Sequence, residues 1–214
     1  MPKIMFKIKE IFKSIQGEGF LTGSPAVFVR FSGCNLWNGM LVNKSNAICN
    51  FCDTDFVGID GQNGGNYNLS ELLKKIDKVW NLNNSLTRKF VILTGGEPML
   101  QVTNQLVEHL KKQGYFVAIE TNGTIESNIN FDWVCVSPKN LNLWKLLKGD
   151  ELKVIYPQYK FDLNSLKKLS FKYFFLQPMD GNKKQTNIWN TINYCKSHKP
   201  WFPSFQLHKS LNIS

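Results

Sequence analysis

The sequence predicts an α/β fold built on a parallel β-sheet. Two observations predict it: apolar runs of strand length alternate with segments of helical period, and these runs end in polar or glycine-containing turns. Strands joined through intervening helices run parallel in one sheet, and such a sheet presents its ligand site at the carboxyl ends of its strands. The turns GC, TGGEP, ETNG, SPK and QPMDG are therefore expected to lie along one edge.

The individual elements follow from short-range patterns. Asn68 or Ser70 is expected to cap the amino end of the first helix, and Gly114 is expected to close the second. The strands are predicted where short apolar runs are bounded by turn residues. In chain order, the predicted elements are a strand at 26–33, a helix at 68–82, a strand at 90–94, a helix at 102–114, strands at 116–123, 133–139, 151–157 and 173–181, and a helix near 186–198.

The length and composition indicate a folded protein away from membranes. A chain of 214 residues can bury a core, and we expect one domain spanning 1–214. No stretch approaches the roughly 18 apolar residues of a membrane span. The first residues, MPKIMFKIKEIF, alternate charged and apolar side chains, unlike a signal peptide. We therefore expect a cytoplasmic protein without a membrane partner, in which thiols stay reduced.

The net charge of +10 raises the question of a nucleic-acid partner. Nucleic-acid-binding proteins usually cluster their basic residues on one face or along one helix. Here the lysines occur singly or in pairs, and the only arginines are Arg30 and Arg88. We therefore expect no nucleic-acid partner and favour an anionic small molecule as the substrate.

The chain has five cysteines, an odd number that suits a disulfide framework poorly. Cys135 and Cys195 stand alone in apolar surroundings and are expected to be ordinary buried thiols. Cys34, Cys49 and Cys52 are clustered with the spacing Cys-x14-Cys-x2-Cys, and metal binding is the first interpretation of this group.

Two kinds of metal site fit a group of three cysteines. A structural zinc site normally takes four protein ligands, so it would need a distant fourth such as His208. An iron–sulfur cluster held by three thiolates instead leaves one iron open for a small molecule, whereas four cysteines would saturate it. A redox role for the Cys-x2-Cys pair is less favoured because it leaves Cys34 unexplained. The spacing alone does not decide between zinc and a cluster.

Several motifs together resemble one family. They are SIQGEG at 14–19, VRFSGCNLW at 29–37, FCDTDFVG at 51–58, TGGEPML at 94–100, then ETNG, SPK, QPMDG and the terminal QLHKSLNIS. From about residue 5 to its end the chain resembles the 7-carboxy-7-deazaguanine synthases. This family belongs to the radical S-adenosylmethionine superfamily and serves the pathway to queuosine and related deazapurines. The superfamily commonly spaces its cysteines as C-x3-C-x2-C, but a subset of this family carries the same expanded loop.

The resemblance implies a fold and a reaction. The fold is a partial, open (β/α)6-type barrel of about six parallel strands, with an expanded cluster loop and irregular structure over 35–68. The reaction is the radical-mediated ring contraction of 6-carboxy-5,6,7,8-tetrahydropterin to 7-carboxy-7-deazaguanine with loss of ammonia, which makes the enzyme a carbon–nitrogen lyase. The implied cofactors are one 4Fe-4S cluster, S-adenosylmethionine and Mg²⁺. The implied partners are an external one-electron donor of the flavodoxin or ferredoxin type and a second copy in a homodimer.

The resemblance also assigns roles to residues. It gives the cluster to Cys34, Cys49 and Cys52, and magnesium to Thr54. The residues that it assigns to S-adenosylmethionine are Phe51, Gly95, Gly96, Glu97, Ser137, Pro138, Lys139, Gln177, Pro178, Met179 and Asp180. The residues that it assigns to the pterin are Ile15, Gln16, Gly17, Glu18, Arg30, Thr94, His208 and Ser214.

Simpler interpretations stand beside these roles. Phe51 can serve loop packing, and Arg30 can pair with an acidic residue of the core. From the sequence alone, Asp53 or Asp55 would be nominated for magnesium before Thr54. At the level of the whole chain, the alternatives are an activase that makes a glycyl radical on a protein partner and a zinc-stabilised basic binding module.

Overall fold

A single nine-stranded sheet runs through the part of the chain that the computed structural model describes, residues 4–81, 88–158 and 160–213. The strands are β1 (Phe6–Ile15), β2 (Pro25–Phe31), β3 (Gly65–Tyr67), β4 (Phe90–Gly95), β5 (Phe116–Thr121), β6 (Trp133–Val136), β7 (Lys148–Tyr156), β8 (Ser170–Pro178) and β9 (Trp201–Pro203).

The strand order is β3-β1-β2-β4-β5-β6-β7-β8-β9. From β2 to β9 every neighbouring pair is parallel, which confirms the predicted α/β class and all six predicted strands. Within the described residues the edge strands β3 and β9 do not pair with each other. The sheet is therefore an open, partial barrel, as the family resemblance implied.

The amino-terminal strand β1 corrects the prediction that the chain begins its sheet at residue 26. It pairs antiparallel with β2 and β3, placing Arg30 on the second strand instead of the first. Its signal was present in the sequence as apolar residues separated by polar ones: Phe6, Ile8 and Ile11 are all buried, and a register shift after Ile8 interrupts the alternation. Such alternation is typical of a strand with one solvent-facing side.

In the described part of the chain, four helices connect strands of the sheet, and a fifth follows the last strand. Their bounds are α1 (Leu69–Asn81), α2 (Asn104–Lys112), α3 (Leu163–Leu166), α4 (Lys184–Ser197) and α5 (Leu207–Leu211). Asn68 caps α1: its side chain accepts from the Glu71 amide at 3.1 Å, and the Glu71 carboxylate accepts from the Asn68 amide at 2.9 Å. This reciprocal pair is a capping box and selects Asn68 over Ser70. Gly114 follows α2 with a φ of 85°, as expected of a residue that closes a helix.

The three predicted helices correspond to α1, α2 and α4, whereas α3 and α5 were not predicted. The predicted last residue of the first helix, Leu82, lies outside the described residues. The region 35–68 is mostly irregular as expected, apart from a 3-10 turn at Leu41–Asn46 and the short strand β3. No helix in the described ranges combines the length and apolarity that crossing a bilayer requires.

Two apolar clusters hold the sheet to its helices. The first joins α1 and α2 to β1, β2, β4 and β5, and the second joins β6, β7 and β8 to α3. Helix α1 buries Leu72, Ile76 and Trp80 on one face, at the spacing of an amphipathic helix. Cys135 is buried as predicted, whereas Cys195 on α4 is only partly buried.

Candidate functional site

A cavity of about 340 Å³ opens at the carboxyl ends of the parallel strands, where the sequence predicted a ligand site. The following predicted site residues line it: Ile15, Gln16, Gly17, Glu18, Arg30, Cys34, Cys49, Phe51, Cys52, Thr54, Thr94, Gly95, Gly96, Ser137, Lys139, Gln177, Pro178, Met179, Asp180 and His208. Glu97 and Pro138 are not among its lining residues, and Ser214 lies outside the described residues.

The three clustered cysteines lie on the wall of this cavity. The Leu36 amide donates to Cys34 Sγ at 3.4 Å, and burial raises the pKa of the Cys34 thiol. A hydrogen bond from the Cys49 thiol lowers the pKa of Cys52 to about 6, which favours the thiolate that binds metals.

The arrangement of these thiols bears on the choice between zinc and a cluster. Among the described residues, no three His, Cys, Asp or Glu side chains converge closely enough to hold a single metal ion. Each thiolate of a 4Fe-4S cluster binds a different iron, so its ligands surround a space instead of meeting at one point. Cys34, Cys49 and Cys52 line one cavity, and an iron–sulfur cluster is what the family resemblance implies for them.

The Gly95–Gly96 turn begins at the last residue of β4 and packs against the end of β2. A Cβ on Gly95 would lie 2.3 Å from the Phe31 carbonyl oxygen, and one on Gly96 would lie 2.1 Å from the Gly33 carbonyl oxygen. Gly95 also has a φ of 137°. Glycine is thus required here by close approach of the chain to itself, which brings the turn to the cavity wall beside Cys34.

Glu97 follows this turn, and its side chain is fully buried. Its carboxylate accepts hydrogen bonds from Thr121 Oγ1 and the Asn122 amide, each at 2.7 Å, and from the Met99 amide at 3.0 Å. Burial raises the pKa of Glu97, and these donors oppose that shift. Glu97 therefore ties the ends of β4 and β5 together, while its contact with S-adenosylmethionine stays a prediction.

Two of the side chains expected to face the pterin, Gln16 and Glu18, belong to one hydrogen-bonded network, since the Glu18 amide donates to Gln16 Oε1 at 3.2 Å. Gln16 Nε2 donates to Glu120 Oε1 at 2.8 Å. Glu18 accepts from Lys153 Nζ at 2.6 Å and from Gln177 Nε2 at 3.2 Å. The sequence reasoning missed Glu120 and Lys153, although a lysine within the apolar run ELKVIYP was a signal that its charge must be paired.

Arg30 lines the cavity and also pairs with an acidic residue. Its Nε donates to Glu10 Oε1 at 2.7 Å, and the two residues lie opposite each other in the β1–β2 register. Their side chains are 20% and 27% exposed, so the pair is at the cavity surface and not in the core. Glu10 was missed because β1 was missed. The simpler interpretation was that Arg30 pairs with an acidic residue of the core. The acidic partner is present, but it is not in the core. The contact of Arg30 with substrate stays a prediction.

A hydrogen bond and ion pairs hold the C-terminal helix α5 at the cavity. The Leu207 amide donates to the Gly17 carbonyl at 3.1 Å. Lys209 pairs with Asp180 at 2.6 Å and also with Asp53, so one ammonium joins the cluster loop to the turn after β8. These contacts bring His208 to the cavity, and a Cβ on Gly17 would approach His208 Nδ1 to 2.9 Å.

Comparison with known proteins agrees with the family resemblance. No family model matches the chain. A 7-carboxy-7-deazaguanine synthase from Burkholderia multivorans is 47% identical over 209 residues, covering 97% of this chain and 99% of that protein. One from Bradyrhizobium diazoefficiens is 46% identical with the same coverage. The crystal structure of QueE from Escherichia coli matches with a TM-score of 0.69 and 25% identity, covering 94% of both chains. The resemblance carried by the motifs is thus confirmed, and the chain belongs to the 7-carboxy-7-deazaguanine synthase family.

Proposed function

We propose that this chain catalyses the radical-mediated ring contraction of 6-carboxy-5,6,7,8-tetrahydropterin to 7-carboxy-7-deazaguanine, with loss of ammonia. One observation carries the proposal: the three thiols, the Gly95–Gly96 turn and the polar network around Glu18 line the same cavity. The ring contraction requires metal ligands next to a binding site for a small polar anion. Membership of the synthase family supports the same assignment.

The cofactors are a 4Fe-4S cluster, S-adenosylmethionine and Mg²⁺. Cys34, Cys49 and Cys52 hold the cluster, which together with S-adenosylmethionine supplies the radical that abstracts hydrogen. The protein binds and orients these groups and excludes water from them. The residues that we assign to S-adenosylmethionine are Phe51, Gly95, Gly96, Glu97, Ser137, Pro138, Lys139, Gln177, Pro178, Met179 and Asp180.

Thr54 is our assignment for magnesium. The two neighbouring carboxylates are already engaged, since Asp53 pairs with Lys209 and Asp55 pairs with Lys9 at 2.9 Å. Thr54 lies between them on the cavity wall. Magnesium usually keeps several waters and takes few protein ligands, so a single hydroxyl together with substrate oxygens is a reasonable site.

The pterin lies in the cavity between the segment that follows β1, with Gln16 and Glu18, and Arg30 near the end of β2. Glu18 accepts from its amino group, Gln16 can donate and accept along its amide edge, and Arg30 pairs with its carboxylate. Side chains with these functions already line the cavity, which supports the assignment. The residues that we assign to the pterin are Ile15, Gln16, Gly17, Glu18, Arg30, Thr94, His208 and Ser214.

Product analysis tests the function directly. Anaerobically reconstituted, reduced protein is incubated with the carboxypterin, S-adenosylmethionine and Mg²⁺, and products are followed by mass spectrometry and an ammonia assay. We expect 7-carboxy-7-deazaguanine and ammonia in equal amounts, and S-adenosylmethionine regenerated in each turnover. Absence of the deazaguanine from protein that contains about four irons per chain would refute the proposal. One zinc per chain in a colourless solution would instead favour the binding module.

The remaining proposals concern the setting of the reaction. The chain acts as one domain over 1–214 and as a homodimer, and it receives electrons from an external donor of the flavodoxin or ferredoxin type. The continuity of one sheet through the described residues supports the single domain. A cytoplasmic location is supported by the need to keep three thiol ligands reduced.

Lys209→Met is expected to weaken the docking of α5. The variant removes the ammonium that joins Asp53 to Asp180, a partly exposed network worth about 1 kcal/mol, so KM for the carboxypterin should rise roughly fivefold. The matched control is Lys184→Met, because Lys184 also pairs with Asp180, at 3.6 Å, but does not belong to α5. Steady-state kinetics check the prediction, and equal KM values for the two variants would contradict it.

A further inference from the structure

Lys153 is a buried cation that none of the assigned roles uses. It lies on β7 and its side chain is 5% exposed, yet it reaches the wall of the cavity. A lysine is rarely buried to this degree unless it is paired. Its pairing partners therefore indicate what it is for.

Carboxylates from three parts of the fold surround Lys153. Glu18, after β1, accepts from Nζ at 2.6 Å, and a Glu120 oxygen at the end of β5 is 3.7 Å away. Glu151 precedes Lys153 by two residues on β7, so it lies on the same face of the strand. Two other titratable groups lie near these carboxylates. Cys135 on β6 is buried, and its Sγ is 3.5 Å from Glu151 Oε1. His208 lowers the pKa of Glu18 electrostatically.

The Lys153 ammonium thus interacts with several acidic groups. Burial alone would raise the pKa of Glu18, but the Lys153 ammonium, with smaller contributions from Gln206 and His208, holds that pKa below its usual value. Burial works against the charge of Lys153 in turn, and the surrounding acidic groups, Cys135 and the carboxylates, keep its pKa well above the usual value. Glu151 has no such direct contact with the ammonium, and burial raises its pKa.

We propose that Lys153 is a positioning residue that keeps Glu18 ionised and oriented toward the amino group of the bound pterin. An ionised carboxylate offers only acceptors, as that amino group requires, whereas a protonated one turns an oxygen into a donor. Without the ammonium, three carboxylates would share one buried region, and Glu18 would take up a proton. Recognition of the pterin then depends on a residue that need not touch it. This inference rests on the proposed function.

The test compares Lys153→Met, Lys153→Arg and Lys172→Met in reconstituted holoenzyme. Lys153→Met retains the length of the side chain but loses the charge. Its KM for the carboxypterin should rise at least tenfold at pH 7, and the acidic limb of kcat/KM should move upward by about 1–3 pH units. The sign follows because a higher pKa for Glu18 leaves it protonated up to a higher pH. Cluster absorbance and S-adenosylmethionine affinity should match the wild type.

Lys172→Met is the matched control, since Lys172 also pairs with an acid, Asp150 at 2.6 Å, but its side chain is 70% exposed on β8. It should show wild-type KM and pH profile. Lys153→Arg retains the charge and should keep the acidic limb at its wild-type position, even where its larger group lowers kcat. An Arg variant whose limb moves by a unit or more would overturn the proposal, whether or not the Met variant folds.

The outcomes also separate this inference from the function on which it rests. Wild-type enzyme that makes the deazaguanine, together with a Lys153→Met variant of unchanged KM and limb, overturns the role of Lys153 alone. A Met variant that loses activity equally at every pH, without a shifted limb, also overturns it, because that is the behaviour of a structural residue. Wild-type enzyme that makes no deazaguanine overturns both.

Discussion

Cys52→Ala is expected to lose the iron–sulfur cluster and all detectable product formation. The substitution removes one of three thiols on the cavity wall, the one whose pKa is already lowered to about 6 by its hydrogen bond with Cys49. Two thiolates are too few to hold a cluster whose remaining iron is left for substrate chemistry. Iron content, visible absorbance and product yield after anaerobic reconstitution measure the effect.

Cys195→Ala is the matched control for this loss. Cys195 lies on α4, is only partly buried and does not line the cavity, so its variant should retain about four irons per chain and wild-type turnover. A Cys52→Ala protein that retains the full iron content would contradict the ligand assignment. Equal iron losses in both variants would point to general oxidation damage and would contradict it as well.

Arg30→Ala should bind the carboxypterin about 2–4 kcal/mol more weakly, roughly 30- to 900-fold, because it leaves the substrate carboxylate without its cation. The cluster spectrum and the affinity for S-adenosylmethionine should remain unchanged, since Arg30 lies on β2 before the cysteine loop. Calorimetric titration of the reconstituted enzyme with substrate and with S-adenosylmethionine measures the two affinities separately. Loss of both affinities together would show that Arg30 is structural.

Two further variants refine the role of Arg30. Glu10→Gln removes the carboxylate that pairs with Arg30 at 2.7 Å and would compete with the substrate for it, so tighter substrate binding is expected. Arg88→Ala is the matched control, because Arg88 is exposed and its guanidinium lies over the Phe116 ring instead of the cavity. If Glu10→Gln weakened binding as much as Arg30→Ala, the pair would act only as a structural unit.

The sequence was sufficient to predict the six central strands and the edge at which the cavity lies. These features depend on contiguous patterns: an apolar run followed by a polar or glycine-containing turn identifies a buried strand and its ligand-facing end. The spacing of the cysteines indicated a metal site, and the motif resemblance assigned it to an iron–sulfur cluster and named most of the lining residues. Local order of this kind is encoded within a few neighbouring positions.

The features that escaped prediction depend on distant pairs. Glu10 faces Arg30 only because β1 pairs antiparallel with β2, and Lys153 meets Glu18 across 135 residues of chain. No local pattern specifies such a contact, since it arises from the order of strands in the sheet. Glu97 shows the same limit: its motif suggested a ligand contact, which stays a prediction, but gave no sign of the hydrogen bonds by which it joins two strand ends.

Two lysines that form ion pairs at the site differ in their access to solvent. The Lys209 side chain that fastens α5 is 26% exposed, whereas the Lys153 side chain that holds Glu18 is 5% exposed. Dissolved ions screen exposed charges over about 8 Å at physiological ionic strength but screen buried pairs much less. Added salt should therefore weaken the ion pairs of Lys209 that hold the C-terminal helix much more than the ion pair between Lys153 and Glu18.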